Sequence, residues 1–182
     1  MNVAAKLERA KTAPLTWDPA SGGRPGWLTF RDDKSYDLGL DPSGARFAEI
    51  TARMLHGRYY PPDVLMIYGE FQSDQRPLRK GDRILQLAPL FGRLGGPKLA
   101  ASTEMFVAET EPGRTRIGYV TTRFHLARGI WSAELTRRGE RLTLHVLGTA
   151  VPSSWLFWLG LPYARWLQKR AWRRAVEIFR AL

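Results

Sequence analysis

The sequence predicts an α+β domain in which a curved antiparallel β-sheet grips one long C-terminal α-helix. Three observations carry this expectation. The last twenty-four residues, Leu159 to Leu182, read as a single amphipathic helix. A run of short segments before it alternates apolar and polar residues, the period-2 signature of strands. Their order, strands first and the long helix last, lays the helix across the sheet and over a cavity.

The elements follow along the chain. Residues 1 to 35 form a loop-rich N-terminal arm. A helical patch from Val3 to Lys11 gives way to Pro14, Pro19, Gly22, Gly23, Pro25 and Gly26, which is turn chemistry. Residues 36 to 182 form one domain. Tyr36 to Leu40 alternates as a first strand, and Asp41-Pro42-Ser43 offers a helix start. Phe47, Ile50, Met54 and Leu55 fall at helical spacing, so Ser43 to His56 reads as a helix ended by Gly57 and Pro61-Pro62.

Strands are expected over Val64 to Phe71, Arg83 to Leu90, Thr103 to Glu109 and Thr115 to Thr122, then on either side of the turn Arg138-Gly139-Glu140-Arg141. Ile117, Tyr119 and Thr121 share one face. Trp131, Ala133 and Leu135 share the next, continued by Leu142, Leu144 and Val146. At about 100° per residue, the closing helix puts Ala164, Leu167, Gln168, Ala171, Ala175, Ile178, Phe179 and Leu182 on a buried stripe. Arg165, Lys169, Arg173 and Arg180 lie opposite, Trp172 at the margin, and Trp166 among the cations.

Composition narrows the function classes. The chain has 182 residues, no cysteine and a formal net charge of +11, with 22 arginines against 6 lysines. The missing cysteines exclude disulfides, thiolate metal sites and cysteine nucleophiles, and fit a reducing, cytoplasmic setting. The arginines scatter over loops and strand edges rather than forming a stripe, which disfavours nucleic acid as the partner. The N-terminus lacks the apolar core of a secretory signal. From Leu142 to Ala164 run 23 residues without a formal charge, but Pro152, Pro162, Gly148 and Gly160 argue against a membrane span. A shallow contact with an anionic membrane surface is open to Trp155, Trp158 and Trp166 with Arg165, Lys169 and Arg173.

Few residues could carry chemistry. There are three histidines. His56 ends a helix, where it meets the helix dipole and caps it. His145 alternates opposite Leu144 and Val146, as a solvated or hydrogen-bonded strand histidine. His125 lies in a loop beside Thr121 and Thr122, where it can be an acid, a base, a ligand anchor or simply a structural residue. No metal spacing, nucleophile elbow or phosphate loop is present, so neither metal nor cofactor is expected. Glu134 should face outward near Arg137 or Arg138. The glycine-rich segment Phe91 to Lys98 reads as a mobile loop at the cavity mouth.

Four stretches carry a resemblance: Leu38 to Phe47, GYVTTRFHLARG (Gly118 to Gly129), GTAVPSSW, and LGLPYARWLQKRAWRRAV. Together, over residues 36 to 182, they resemble the bacterial and plant family of uncharacterised proteins DUF1990, also grouped as UPF0548. Tyr119, Thr121, His125, Gly129, Pro152, Pro162, Arg165 and Gln168 match its pattern. Phe124, Ile130 and Val151 stand where the family has glycine, glutamate and arginine. The resemblance implies an antiparallel sheet closed by a helix, similar to START- and Bet v 1-like helix-grip proteins that bind lipids and polyketides.

The leading expectation is a module that binds a small hydrophobic or amphipathic ligand in a cavity between sheet and closing helix. Ile67, Leu85, Ile117, Tyr119, Trp131, Leu144 and Leu167 would line it, with Thr121 and Gln168 orienting the ligand and His125 beside them. One alternative is an isomerase-, cyclase- or hydrolase-type enzyme with His125 and Tyr119 as its acid–base pair. Another is a protein peripheral to membranes.

Overall fold

The computed structural model describes residues 2–18, 29–89, 96–153 and 155–182, with side chains from residue 162 onward in the last stretch. Its elements are, in order, α1 (Val3–Lys11), β1 (Phe30–Leu40), α2 (Ala45–Leu55), β2 (Met66–Gly69), α3 (Glu70–Ser73), β3 (Arg83–Pro89), β4 (Lys98–Glu111), β5 (Arg114–Thr121), β6 (Ala127–Arg138), β7 (Arg141–Pro152) and α4 (Trp155–Ala181). All neighbouring strands are antiparallel in one seven-stranded sheet of order β1-β7-β6-β5-β4-β3-β2. The α+β architecture read from the sequence is the one observed.

Strand alternation builds the core. Leu135, Leu142, Leu144, Val146, Ala133 and Ile117 point to the concave face and are almost wholly buried. α2 lays Ile50 and Met54 on them. Asp41 starts α2 by accepting hydrogen bonds from the Arg46 and Phe47 amides at 3.2 and 2.9 Å, so two otherwise orphaned helix donors are satisfied. The helix ends where His56 Nδ1 meets the Ala52 carbonyl at 2.8 Å. Gly57 then turns the chain at φ +68°, with the Phe71 ring so close that a Cβ would stand 2.8 Å from it.

α4 crosses the concave face. Ala171, Ala175 and Phe179 are buried as its stripe predicts, but Trp172 and Val176 are buried with them. Trp172 therefore sits within the contact rather than at its margin, and Leu182 is exposed. Two of the cations expected on its outer face instead clip the helix to the sheet. Arg165 forms a paired ion bridge to Asp32 of β1 at 2.5 and 2.6 Å. Arg180 donates to the Asp37 carbonyl at 3.0 and 2.9 Å. Arg46 of α2 completes the clasp, donating to the Phe179 carbonyl at 2.9 Å, where a cation favours the helix C-terminus.

Several local expectations are corrected. The strand expected over Val64 to Phe71 shortens to β2 and turns at Gly69 into α3, because Phe71 rolls inward to pack under Gly57. The first strand is longer than its alternating core, running from Phe30. Its charged residues pair along β7, as His145 does with Asp33 at 2.7 Å. Glu134 is bound by Arg114 at 2.8 Å rather than by Arg137, which turns to the Asp41 and Pro42 carbonyls. The segment expected as a loop at the cavity mouth falls, from Phe91 to Gly95, outside the described residues. No helix among the described residues is long and apolar enough to cross a membrane.

The arm packs on the other side of the sheet. α1 lies against β3, with Ala10 and Ala13 buried. Arg83 donates to the Ala13 carbonyl, and Thr16 bonds to both the carbonyl and the hydroxyl of Thr121. Lys11 reaches Glu70 at 2.7 Å.

Candidate functional site

One row of paired residues crosses five strands on the concave face: Met105, Tyr119, Trp131, Gly148 and Asp32. Because strand side chains alternate, residues in register on neighbouring strands share a face. Tyr119 and Trp131 lie stacked, centroids 5.2 Å apart and planes 23° apart. Gly148 leaves the next step bare. A Cβ there would only touch Trp131 at 3.7 Å and Asp32 at 3.8 Å, so the indole and the carboxylate face each other across a low floor.

The chain after α2 supplies the wall. Tyr59 meets the edges of Tyr60, Trp131 and Phe179 at 4.6, 5.2 and 5.4 Å. Tyr60 lies 5.9 Å from Trp131. Sequence reasoning passed over Tyr59 and Tyr60, which lie between Gly57 and Pro61-Pro62. Their signal is two adjacent aromatics in a turn, where only tertiary packing could bury both.

This cluster contains buried polar atoms without hydrogen-bond partners: Tyr59 Oη, Trp131 Nε1 and Trp172 Nε1. The Trp172 indole lies beside the Tyr60 hydroxyl but outside hydrogen-bond geometry. An unpaired buried donor costs about 1–3 kcal/mol, so several in one cluster mark a place where acceptors would be welcome. Burial dominates the titration of the phenols. It pushes the Tyr59 hydroxyl up, with Tyr36 and Tyr119 adding to the effect, and raises Tyr60 in the same way. Burial pushes Tyr119 up to about 12, partly opposed by a hydrogen bond from Gln86. All three are neutral hydroxyls under ordinary conditions.

The other sequence-predicted residues fall into separate roles. Thr121 lines the same face, but its hydroxyl exchanges hydrogen bonds with Gly129 N and O at 2.8 and 3.1 Å and with Thr16 at 2.8 Å. Gln168 accepts from Arg165 at 2.6 Å, within the bridge to Asp32. His125 turns back on its own loop, with Nδ1 3.0 Å from both the amide and the carbonyl of Ala127. Burial pushes its pKa down to about 4, the Ala127 contact opposing, so it is neutral near pH 7. Tyr119 and Trp131 are thus brought together, while His125 and Tyr119 are committed to different neighbours. Leu85 is displaced from the expected lining. It alternates against Ile84 and faces α1 on the opposite side of the sheet.

Beneath the described part of α4, Tyr59 packs edge-on against Trp131 and Phe179. A cleft of about 260 Å³ opens on the convex side, between α1, β3, β4 and the turn after β5. Of the residues considered for membrane contact, Trp166 is 47% exposed and stacked on Tyr163 at 5.7 Å, with the Arg170 guanidinium 5.5 Å from its ring. Lys169 and Arg173 are exposed, Arg165 is tied to Asp32, and the side chains of Trp155 and Trp158 lie outside the described residues. No group of metal-binding side chains occurs among the described residues.

No family model matches the chain, and no curated protein matches it in sequence. Solved structures match its fold. A hypothetical protein from Helicobacter pylori is similar over 81% of this chain and 84% of its own, with a TM-score of 0.53 and 13% identity. Major latex-like protein 151 from Panax ginseng aligns over 70% of this chain and 82% of its own, at TM-score 0.44 and 10% identity. With the strand order above, the first likeness shows the helix-grip α+β fold. At such identities it speaks to the fold alone.

Proposed function

We propose that this protein binds a small hydrophobic or amphipathic molecule between the concave face of its sheet and α4. The reading is supported by one observation above all: Tyr59 Oη, Trp131 Nε1 and Trp172 Nε1 lie buried and unpartnered in one aromatic cluster. The matching ligand carries rings or an acyl body to stack on Tyr119 and Trp131, and carbonyl or ether oxygens to accept from the indoles. Asp32 and Arg165 at the edge of the row would meet its polar end. Room for it comes from Gly148 and from rotation of Tyr59 and Tyr60. Membership of the DUF1990 family and a cytoplasmic setting belong to the same proposal.

Native mass spectrometry of protein purified from its own host tests it. A retained small molecule is expected, lost in a Trp131→Phe variant that keeps an aromatic ring but removes the indole N–H. A chain that carries nothing, and whose tryptophan fluorescence is unmoved by a panel of fatty acids and polyketide-like aromatics, sinks the reading.

A further inference from the structure

The cleft between α1 and the convex face is a built space with an unusual rim. Its floor is low because β4 presents Ala100 and Ser102 there, two small side chains beside Leu85 of β3. Ser102 is buried and its hydroxyl is bonded to that of Thr122. Phe124, 37% exposed, forms one wall. The opposite wall is α1, which presents Lys6 and Arg9 three residues apart, hence on one helix face. The guanidiniums of Arg9 and of Arg123 lie 5.1 and 5.3 Å from the centroid of the Phe124 ring.

Two like charges at one ring repel each other. Among the described residues, Lys6, Arg9 and Arg123 have no carboxylate within ion-pair distance. Next to them on the arm and on β3, Lys11 is paired with Glu8 and Glu70, and Arg83 with Glu104. The cleft also stands on a fixed base. α1 is held by buried Ala10 and Ala13, by the Lys11–Glu70 bridge and by Arg83 on the Ala13 carbonyl.

From the apolar floor, the aromatic wall and the unpaired cations, we propose that this cleft is a second binding site, for a small organic carboxylate with an apolar body. About 260 Å³ holds one ring or a short acyl chain and not a two-chain lipid. The carboxylate takes the place at Lys6 and Arg9 on the rim, with Arg123 close by at the Phe124 ring, and its body lies on Leu85, Ala100 and Phe124. Charge-assisted hydrogen bonds to the cations supply recognition, and the apolar contact adds affinity. This site is separate from the one beneath α4 and does not rest on it.

The test is a titration of the isotope-labelled full chain with sodium octanoate, followed by amide resonances. Saturable shifts are expected at Arg9, Leu85, Ser102 and Phe124, with octan-1-ol and acetate each binding about tenfold more weakly or less. The double variant Lys6→Ala/Arg9→Ala changes only exposed helix positions, and its unchanged spectrum elsewhere certifies the fold. Octanoate affinity should fall about tenfold or more in it, the scale of one lost charged contact. Shifts that do not saturate, or that the double variant leaves unaltered, overturn the proposal. So do shifts centred on Trp131 and Trp172, which place octanoate beneath α4. Anionic phosphatidylglycerol vesicles form a separate arm. Sedimentation with them, abolished by the double variant while free octanoate fails to bind, would replace the site with a membrane surface.

Discussion

Replacing Arg165 with leucine removes the clasp between α4 and the edge of the sheet. Asp32 is 9% exposed and the Arg165 side chain 24% exposed, so the pair lies between the surface and interior cases. Breaking an interior pair costs about 3–5 kcal/mol, because one charge stays buried without a partner. Breaking an exposed one costs about 0–1 kcal/mol. The acid here is nearly buried and loses two charge-assisted hydrogen bonds at once, and Arg165 also lies over the Phe30 ring at 5.7 Å. About 2–3 kcal/mol is expected, which in a domain of this size lowers Tm by about 4–12 °C. Urea unfolding followed by tryptophan fluorescence measures it. Asp32→Asn and the double variant complete a cycle, with a coupling energy of about 1–3 kcal/mol. A Tm change within about 1 °C, or changes that add within about 0.3 kcal/mol, would refute the reasoning.

Other outcomes follow from the same structure. Asp41 is buried, which opposes its charge, but the Phe47 and Arg46 amides and Arg137 outweigh burial and hold its carboxyl below the usual range. A depressed acid stabilises above its unfolded pKa and loses that contribution as pH falls through the folded value. Asp41→Asn should therefore unfold earlier than the parent near pH 7, with the gap closing below about pH 4. His125 has its pKa pushed down to about 4. It favours folding fully above the unfolded value of about 6.5, and that contribution declines as pH falls towards 4. Its imidazole resonances should stay neutral at pH 5.5; a protonated ring there contradicts its burial. Gly57→Ala combines φ +68° with a 2.8 Å clash against Phe71, whereas Gly81 at φ +90° faces open space. The first should cost about 2–3 kcal/mol and the second about 1 kcal/mol in chemical denaturation. Equal costs would mean that Phe71 moves freely.

The architecture was legible because its evidence is local and periodic. Ile117, Ala133, Leu144 and Phe179 repeat at strand and helix spacing, and all are buried where the period puts them. The closing helix was read with its inner face right at Ala171 and Ala175. Its cations were misjudged, because spacing says which side Arg165 leaves the helix and not how far it reaches. Its side chain reaches back to Asp32, 133 residues earlier in the chain. The candidate site was half legible for a similar reason. Tyr119 and Trp131 announce themselves by alternation, but their stacking follows from the β5–β6 register. Tyr59 and Tyr60 come from an irregular segment with no period to read. Leu85 was assigned to the wrong face because apolar residues fall on both faces of Arg83 to Leu90, Ile84 on one and Leu85 and Leu87 on the other, so alternation gave no preference there. The convex cleft could not be seen at all. It exists only because α1 folds back over β3.

The pairing of the first strand with the last has a consequence for how the chain assembles. Phe30 lies opposite Ala150, while β6 and β7 meet across a turn with Arg138 opposite Arg141. The central hairpins close short loops and can form while synthesis continues; β1 must wait until its partner strand has emerged, at the entropic disadvantage of a long loop. Asp32, Asp37 and Leu38 also hold Arg165, Arg180 and Arg46, so α4 has no complete docking surface before β1 is in place. The edge strand and the closing helix should therefore dock together, late and as one cooperative event. Until then, an eleven-residue strand with five acidic or basic side chains waits in solvent, charged enough to discourage pairing with other chains.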